Sequence, residues 1–101
     1  MHEKEYNGWT NYETWAVNLW MDNDEGSYQY WRDTAHGIAG AHNEEAQLAD
    51  QLKSEHEEAM PELNGTYSDL LRAALGEVNW YEIAENMLEE AHEEIKQQET
   101  A

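Results

Sequence analysis

Two pairs of residues in this chain have the spacing of metal ligands. Glu89 and His92, in EEAH, and Asp33 and His36, in DTAH, each set a carboxylate and an imidazole three positions apart. On a helix that spacing puts both groups on one face, as in di-iron bundles. Those bundles need two such pairs turned inward and two further carboxylates. His92 instead falls at the edge of an acidic helix face, and a chain with 23 Asp and Glu generates such pairs by chance. No metal and no cofactor is expected. His56 falls on the apolar side of its helix and reads as a packed histidine rather than a ligand. Acid–base catalysis needs two carboxylates in contrasting environments, and no motif marks such a pair. A glycine-rich phosphate loop and a nucleophile motif are both missing. No catalytic residue is assigned, and the chain is expected not to be an enzyme.

The carboxylates are the chemistry that is left. The chain of 101 residues carries 23 Asp and Glu against five Lys and Arg, a net charge of −18 at pH 7. A small soluble domain usually carries a charge of magnitude about 2–8. Such an excess destabilises the compact state by self-repulsion but draws basic partners from a distance. It speaks against direct contact with nucleic acid or an anionic membrane, since both need cations on the protein. Exposed helices ordinarily mix Glu with Lys at i, i+4, and here the cations are nearly missing.

Duplex DNA carries one negative charge per roughly 1.7 Å of axis, so 18 charges match roughly 30 Å of duplex. In the last predicted helix Glu82, Glu85, Glu89 and Glu93 form a nearly straight acidic stripe, stepping by about 4.5 to 6 Å. One stripe is therefore too sparse to imitate DNA, and acids from other helices must converge on it. The third helix can add Glu55 as well as Asp50, Glu57 and Glu58, and the last three, on its outward side, complete a set of seven with the stripe. These seven residues are the candidate partner-binding set.

The elements that position them read as an all-α, compact single-domain bundle of four to five helices. One domain spans residues 1–101, with frayed ends at 1–8 and 97–101. A capping box of Thr10 and Glu13 opens the first helix. Its apolar residues form one stripe of Tyr12, Trp15 and Leu19 and an adjoining one of Val17, Trp20 and Met21. Residues 14–21 also alternate as a strand would, and the cap favours helix. A second helix starts at Glu25 or Ser27 and ends at His36, before a loop over HGIAGAH. A third runs from Asn43 to before Pro61, a fourth from Thr66 to Gly76, and a fifth begins after Asn79. The core is expected to hold Trp15, Leu19, Trp31, Leu52, Leu71, Trp80, Ile83 and Leu88.

Residues 8–31, GWTNYETWAVNLWMDNDEGSYQYW, resemble the opening of a family of small uncharacterised proteins from phages, plasmids and other mobile elements. The likeness rests on a T-W-x-V-x-L-W core at Thr14–Trp20, an N-D-E turn at Asn23–Glu25 and a following aromatic. VNWYEIAENMLEE, residues 78–90, is a weaker second echo. The resemblance implies a mobile-element origin and a compact domain, and brings no catalytic residue. In size and charge the chain is also similar to acidic antirestriction and anti-CRISPR proteins that imitate DNA, a likeness of physics rather than of motif.

The functional expectation is a DNA-mimic inhibitor that occupies the DNA-binding groove of a basic host defence protein of restriction or CRISPR type, in the host cytoplasm. The absence of cysteine fits a reducing compartment. The alternative is a protein-interaction or homodimerisation module that uses an exposed tryptophan-rich helix face around Trp9 and Trp20, with acidity serving solubility. A third account makes the charge an adaptation to a high-salt cytoplasm.

Overall fold

The computed structural model describes residues 6–100. Five helices make up most of these residues: α1 (Tyr12–Asn23), α2 (Glu25–Ile38), α3 (Glu44–Glu58), α4 (Gly65–Gly76) and α5 (Trp80–Thr100). The chain is all-α, and residues 14–21 are helical. Of the ends expected to fray, residues 1–5 and 101 lie outside the described residues. Residues 6–8 enter a tight turn, closed by paired backbone bonds between Tyr6 and Trp9 at 2.9 and 2.7 Å. Residues 97–100 continue α5, since Gln and Glu are good helix formers.

Local side-chain chemistry sets the boundaries. Asn11, not Thr10, caps α1. Its Oδ1 accepts from the Thr14 backbone N–H at 2.9 Å and from the Thr14 hydroxyl at 2.6 Å. Asp24 alone separates α1 from α2 and opens the latter, accepting from the Ser27 N–H at 2.8 Å. Asn79 does the same for α5 through the Glu82 N–H at 3.0 Å. Each cap satisfies a donor that the helix itself leaves unpaired. Gly40, at φ +90, and Asn43, at φ 61, carry the left-handed turns that reverse the chain between α2 and α3. α2 runs two residues past the expected end at His36.

α5 packs chiefly on α3 and α2, and α1 lies mainly on α2. The core between them holds Met21, Trp31, Ala35, Leu48, Leu52, Trp80, Ile83, Ala84, Leu88 and Ala91, with Val78 from the preceding loop. Five of the eight expected core residues are in it. Trp15, Leu19 and Leu71 are only half-buried. For α1 the reason is which stripe turns inward: it buries Thr14 and Met21 with Val17 between them, the side next to the expected one. Trp15 instead packs with Tyr6 and Tyr12, centroids 4.9 and 5.6 Å away, in a small aromatic group outside the core. Leu71 belongs to α4, a peripheral helix that buries no residue completely.

Candidate functional site

α5 is the longest helix, with its apolar side on α2 and α3 and the opposite side in solvent. Glu85, Glu89 and Glu93 form a ridge on the exposed side. Along one flank the ridge meets α1 in a cleft of about 480 Å³ walled by Asp22, Glu89, Glu90 and Glu93, with Trp9 and Met87 beneath. Along the other it meets the first turn of α3 in a cleft of about 380 Å³ walled by Glu44, Glu45, Glu85, Glu89 and His92. Asn86 and Glu89 line both, so the ridge stands between two acidic clefts. Among the described residues no Lys or Arg lines either one.

The electrostatics follow from the packing. His92 Nε2 lies 2.8 Å from Glu44 Oε1, and the Gly40 backbone N–H donates to the same oxygen at 2.8 Å. That backbone donor first, and His92 second, hold the Glu44 carboxyl below its ordinary range. On the far side of α5, His36 Nε2 is 2.6 Å from Glu94 Oε1 and Arg32 Nε is 3.2 Å from it. His36 foremost, with help from Arg32, lowers Glu94 in the same direction. Asp22 moves the other way. Its place on the cleft wall strips part of its water and raises its carboxyl, against the pull of the Asn18 side chain at 3.3 Å.

The seven carboxylates read from the sequence separate into three groups. Glu85, Glu89 and Glu93 sit on the ridge as expected. Glu82 does not: it is 4% exposed, and its Oε1 accepts from the Thr10 backbone N–H at 3.1 Å. The segment before α1 folds over the first turn of α5 and covers it. A carboxylate is well placed there, against the positive end of the helix. Asp50, Glu57 and Glu58 are exposed on α3, away from the buried Leu48, Ala49 and Leu52, and line neither cleft. Their places are taken by Asp22, Glu44, Glu45 and Glu90. Glu90 was legible as a neighbour of Glu89. The other three arrive by the packing of α1 and α3 against α5, which no single helix wheel encodes.

Neither histidine with metal-like spacing uses its own local partner. His92 pairs with Glu44 rather than Glu89, and His36 with Glu94 rather than Asp33. No group of three His, Asp or Glu among the described residues is placed to hold a metal ion. No helix among them is long and apolar enough to cross a membrane. His56 is packed as expected, between the rings of Trp31 and Trp80 at 6.0 and 5.0 Å.

The family model described as a family of unknown function (DUF7249) matches residues 2–100. The chain belongs to DUF7249. The match runs through every helix of the bundle, so the DUF7249 unit includes both the aromatic opening and the acidic ridge. No curated protein and no solved structure matches the chain.

Proposed function

We propose that the chain is an acidic inhibitor that occupies the DNA-binding groove of a basic host protein, as a stand-in for the duplex. The observation that carries this reading is the density of the ridge. From Glu85 to Glu93 α5 advances about 12 Å. A duplex presents about seven charges over that distance. The two clefts are walled by seven carboxylates, namely Asp22, Glu44, Glu45, Glu85, Glu89, Glu90 and Glu93. One helix is too sparse to match DNA, and α1 and α3 bring three further carboxylates to its flanks.

The inhibitor works by competition and performs no reaction. Its target is a nuclease, methyltransferase or effector complex of a restriction or CRISPR type, met in the host cytoplasm. On the T-W-x-V-x-L-W resemblance we place its origin in a phage, plasmid or other mobile element. Association is fast and weakens with salt, as for any encounter steered by opposite charge.

Capture of the target from host lysate on tagged protein, followed by elution with duplex DNA, tests the reading. Duplex DNA is expected to release the target. A target retained against excess DNA overturns the proposal. Glu85→Lys, Glu89→Lys and Glu93→Lys together are expected to abolish capture, whereas Asp50→Lys with Glu57→Lys leaves it near normal. A second reading, association through the tryptophan face of α1, is favoured by Trp20, which is 71% exposed. The ridge substitutions separate the two: on this reading they leave association intact, while Trp20→Ala abolishes it.

A further inference from the structure

A second recessed surface lies away from the ridge, where α1, α2 and α3 meet. One lobe, about 380 Å³, is walled by Val17, Trp20 and Met21 and is mostly apolar. The other, about 290 Å³, is walled by Tyr30, Trp31 and Glu55. Asp24, Ser27 and His56 belong to both, so the lobes form one cleft.

The polar groups on this cleft are nearly all acceptors. Glu55 holds both oxygens toward the Tyr30 hydroxyl, at 2.7 and 3.0 Å, and takes a further bond from Gln51 Nε2 at 2.9 Å. The carboxylate is thus fixed in place with lone pairs to spare. Asp24 spends one oxygen on the Ser27 N–H. His56 Nδ1 lies 2.7 Å from the Leu52 carbonyl oxygen. A carbonyl only accepts, so that nitrogen donates, and the bond holds the imidazole in place at the cleft. Among the described residues no Lys or Arg lines either lobe. The walls add aromatic faces: Trp20, 71% exposed, and Tyr30, 47% exposed.

We propose that this cleft seats the guanidinium of an arginine side chain on the protein partner. A guanidinium is planar, cationic and donor-only, with five N–H groups and no acceptor. It stacks on indole and phenol faces and bonds carboxylates with a two-pronged fork, whereas a lysine ammonium does neither as well. The apolar lobe takes the methylene stem or an apolar neighbour in the partner's sequence. The inference rests on the reading of a basic protein partner and adds what the ridge lacks, a contact that reads one residue type rather than charge alone.

The test is a titration of the full chain with a Gly-Arg-Gly peptide, a Gly-Lys-Gly peptide and the neutral citrulline analogue, at an ionic strength of about 0.15 M, where the Debye length is about 8 Å. Amide shifts and indole fluorescence are followed. The arginine peptide is expected to shift Ser27, Tyr30 and the Trp20 indole saturably. Lysine is expected to bind more weakly, and citrulline not at all. Trp20→Ala and Glu55→Gln are each expected to weaken arginine binding about fivefold or more, while Asp50→Asn, at a residue that lines none of the clefts, does not. Trp20 is exposed and Gln retains an acceptor for Tyr30, so both variants are expected to keep the wild-type melting point. Equal response to arginine and lysine, or shifts confined to the ridge, overturns the proposal. So does unchanged affinity in Trp20→Ala. The ridge reading is judged separately, by whether DNA elutes the captured target.

Discussion

Thr14 is 0% exposed, and its hydroxyl has two partners: it donates to Asn11 Oδ1 at 2.6 Å and accepts from the Asn79 backbone N–H at 2.8 Å. One side chain thereby ties the cap of α1 to the cap of α5, through a bond that crosses 65 positions of the chain. Asn11 Nδ2 reinforces the link by donating to the Glu77 carbonyl at 2.7 Å. Thr14→Val keeps the shape and leaves the Asn79 N–H without its acceptor. An unsatisfied buried group costs about 1–3 kcal/mol, so the urea midpoint is expected to fall by a corresponding amount with an unchanged slope. A midpoint equal to wild type would show that water replaces the hydroxyl. Glu82 and Glu85 make a second contrast at this scale. They are three positions apart on one helix, yet one is buried under Thr10 and the other exposed. Glu82→Lys buries a cation at the positive end of α5 and breaks a satisfied buried carboxylate. A loss of about 3–5 kcal/mol is expected. Glu85→Lys relieves repulsion on an exposed face and is expected to leave stability unchanged or slightly raised. Urea denaturation of the pair decides it, and equal losses would remove the distinction drawn between them.

α5 is tied at two places to neighbouring helices through imidazole–carboxylate contacts, His92 with Glu44 on α3 and His36 on α2 with Glu94. Both carboxyls are held below the ordinary glutamate value of 4.5. A carboxyl lowered by folding ionises more readily in the folded chain than in the unfolded one. The stability it contributes is present above about pH 4.5 and is lost as pH falls through the lowered folded value. Asp22 has the opposite sign: its raised carboxyl costs stability at neutral pH, and acid relieves the cost. Acid denaturation of Glu44→Gln and Glu94→Gln is therefore expected to begin from lower stability and to show a shallower loss below about pH 4.5. Asp22→Asn is expected to raise stability at neutral pH. A wild-type acid limb in both Gln variants would exclude these contacts as its source. Most element boundaries were legible in the sequence, because Asn, Asp and Gly at helix ends act through bonds within three or four positions. Burial of α1 was legible only as a choice between two stripes. The buried side is the one that carries Thr14, whose hydroxyl bonds Asn79, a contact of long sequence range. The acidic site divides along the same line: the α5 ridge follows from periodicity, whereas Asp22, Glu44 and Glu45 depend on how helices pack. Glu82 was misread because a helix wheel does not register a covering segment from the other end of the chain.

Across the whole molecule the ridge covers about 12 Å of a body whose longest dimension is 53 Å. A duplex turn is about 34–36 Å long, so on the proposed reading one copy would stand in for roughly a third of a turn. That length suits a short, strongly cationic groove rather than an extended track. The rest of the net charge of −18 is spread over faces such as the outer side of α3 and acts mainly through its long-range field. Salt therefore has opposite effects on the fold and on its proposed partner. Between about 0.01 and 0.15 M the Debye length shrinks from about 30 to about 8 Å. Over that range self-repulsion among surface carboxylates fades, and the melting temperature is expected to rise. Attraction to a cationic groove fades over the same range, and the association rate is expected to fall steeply, with dissociation changing less. A charge that serves solubility in concentrated salt instead predicts a chain that unfolds at low ionic strength. Melting curves and stopped-flow association measured in the same buffers separate the two. A folded chain at 0.01 M whose association is fastest there supports the ridge as the binding surface. An unfolded chain at that ionic strength, or an association rate indifferent to salt, would end the case for an imitation of DNA.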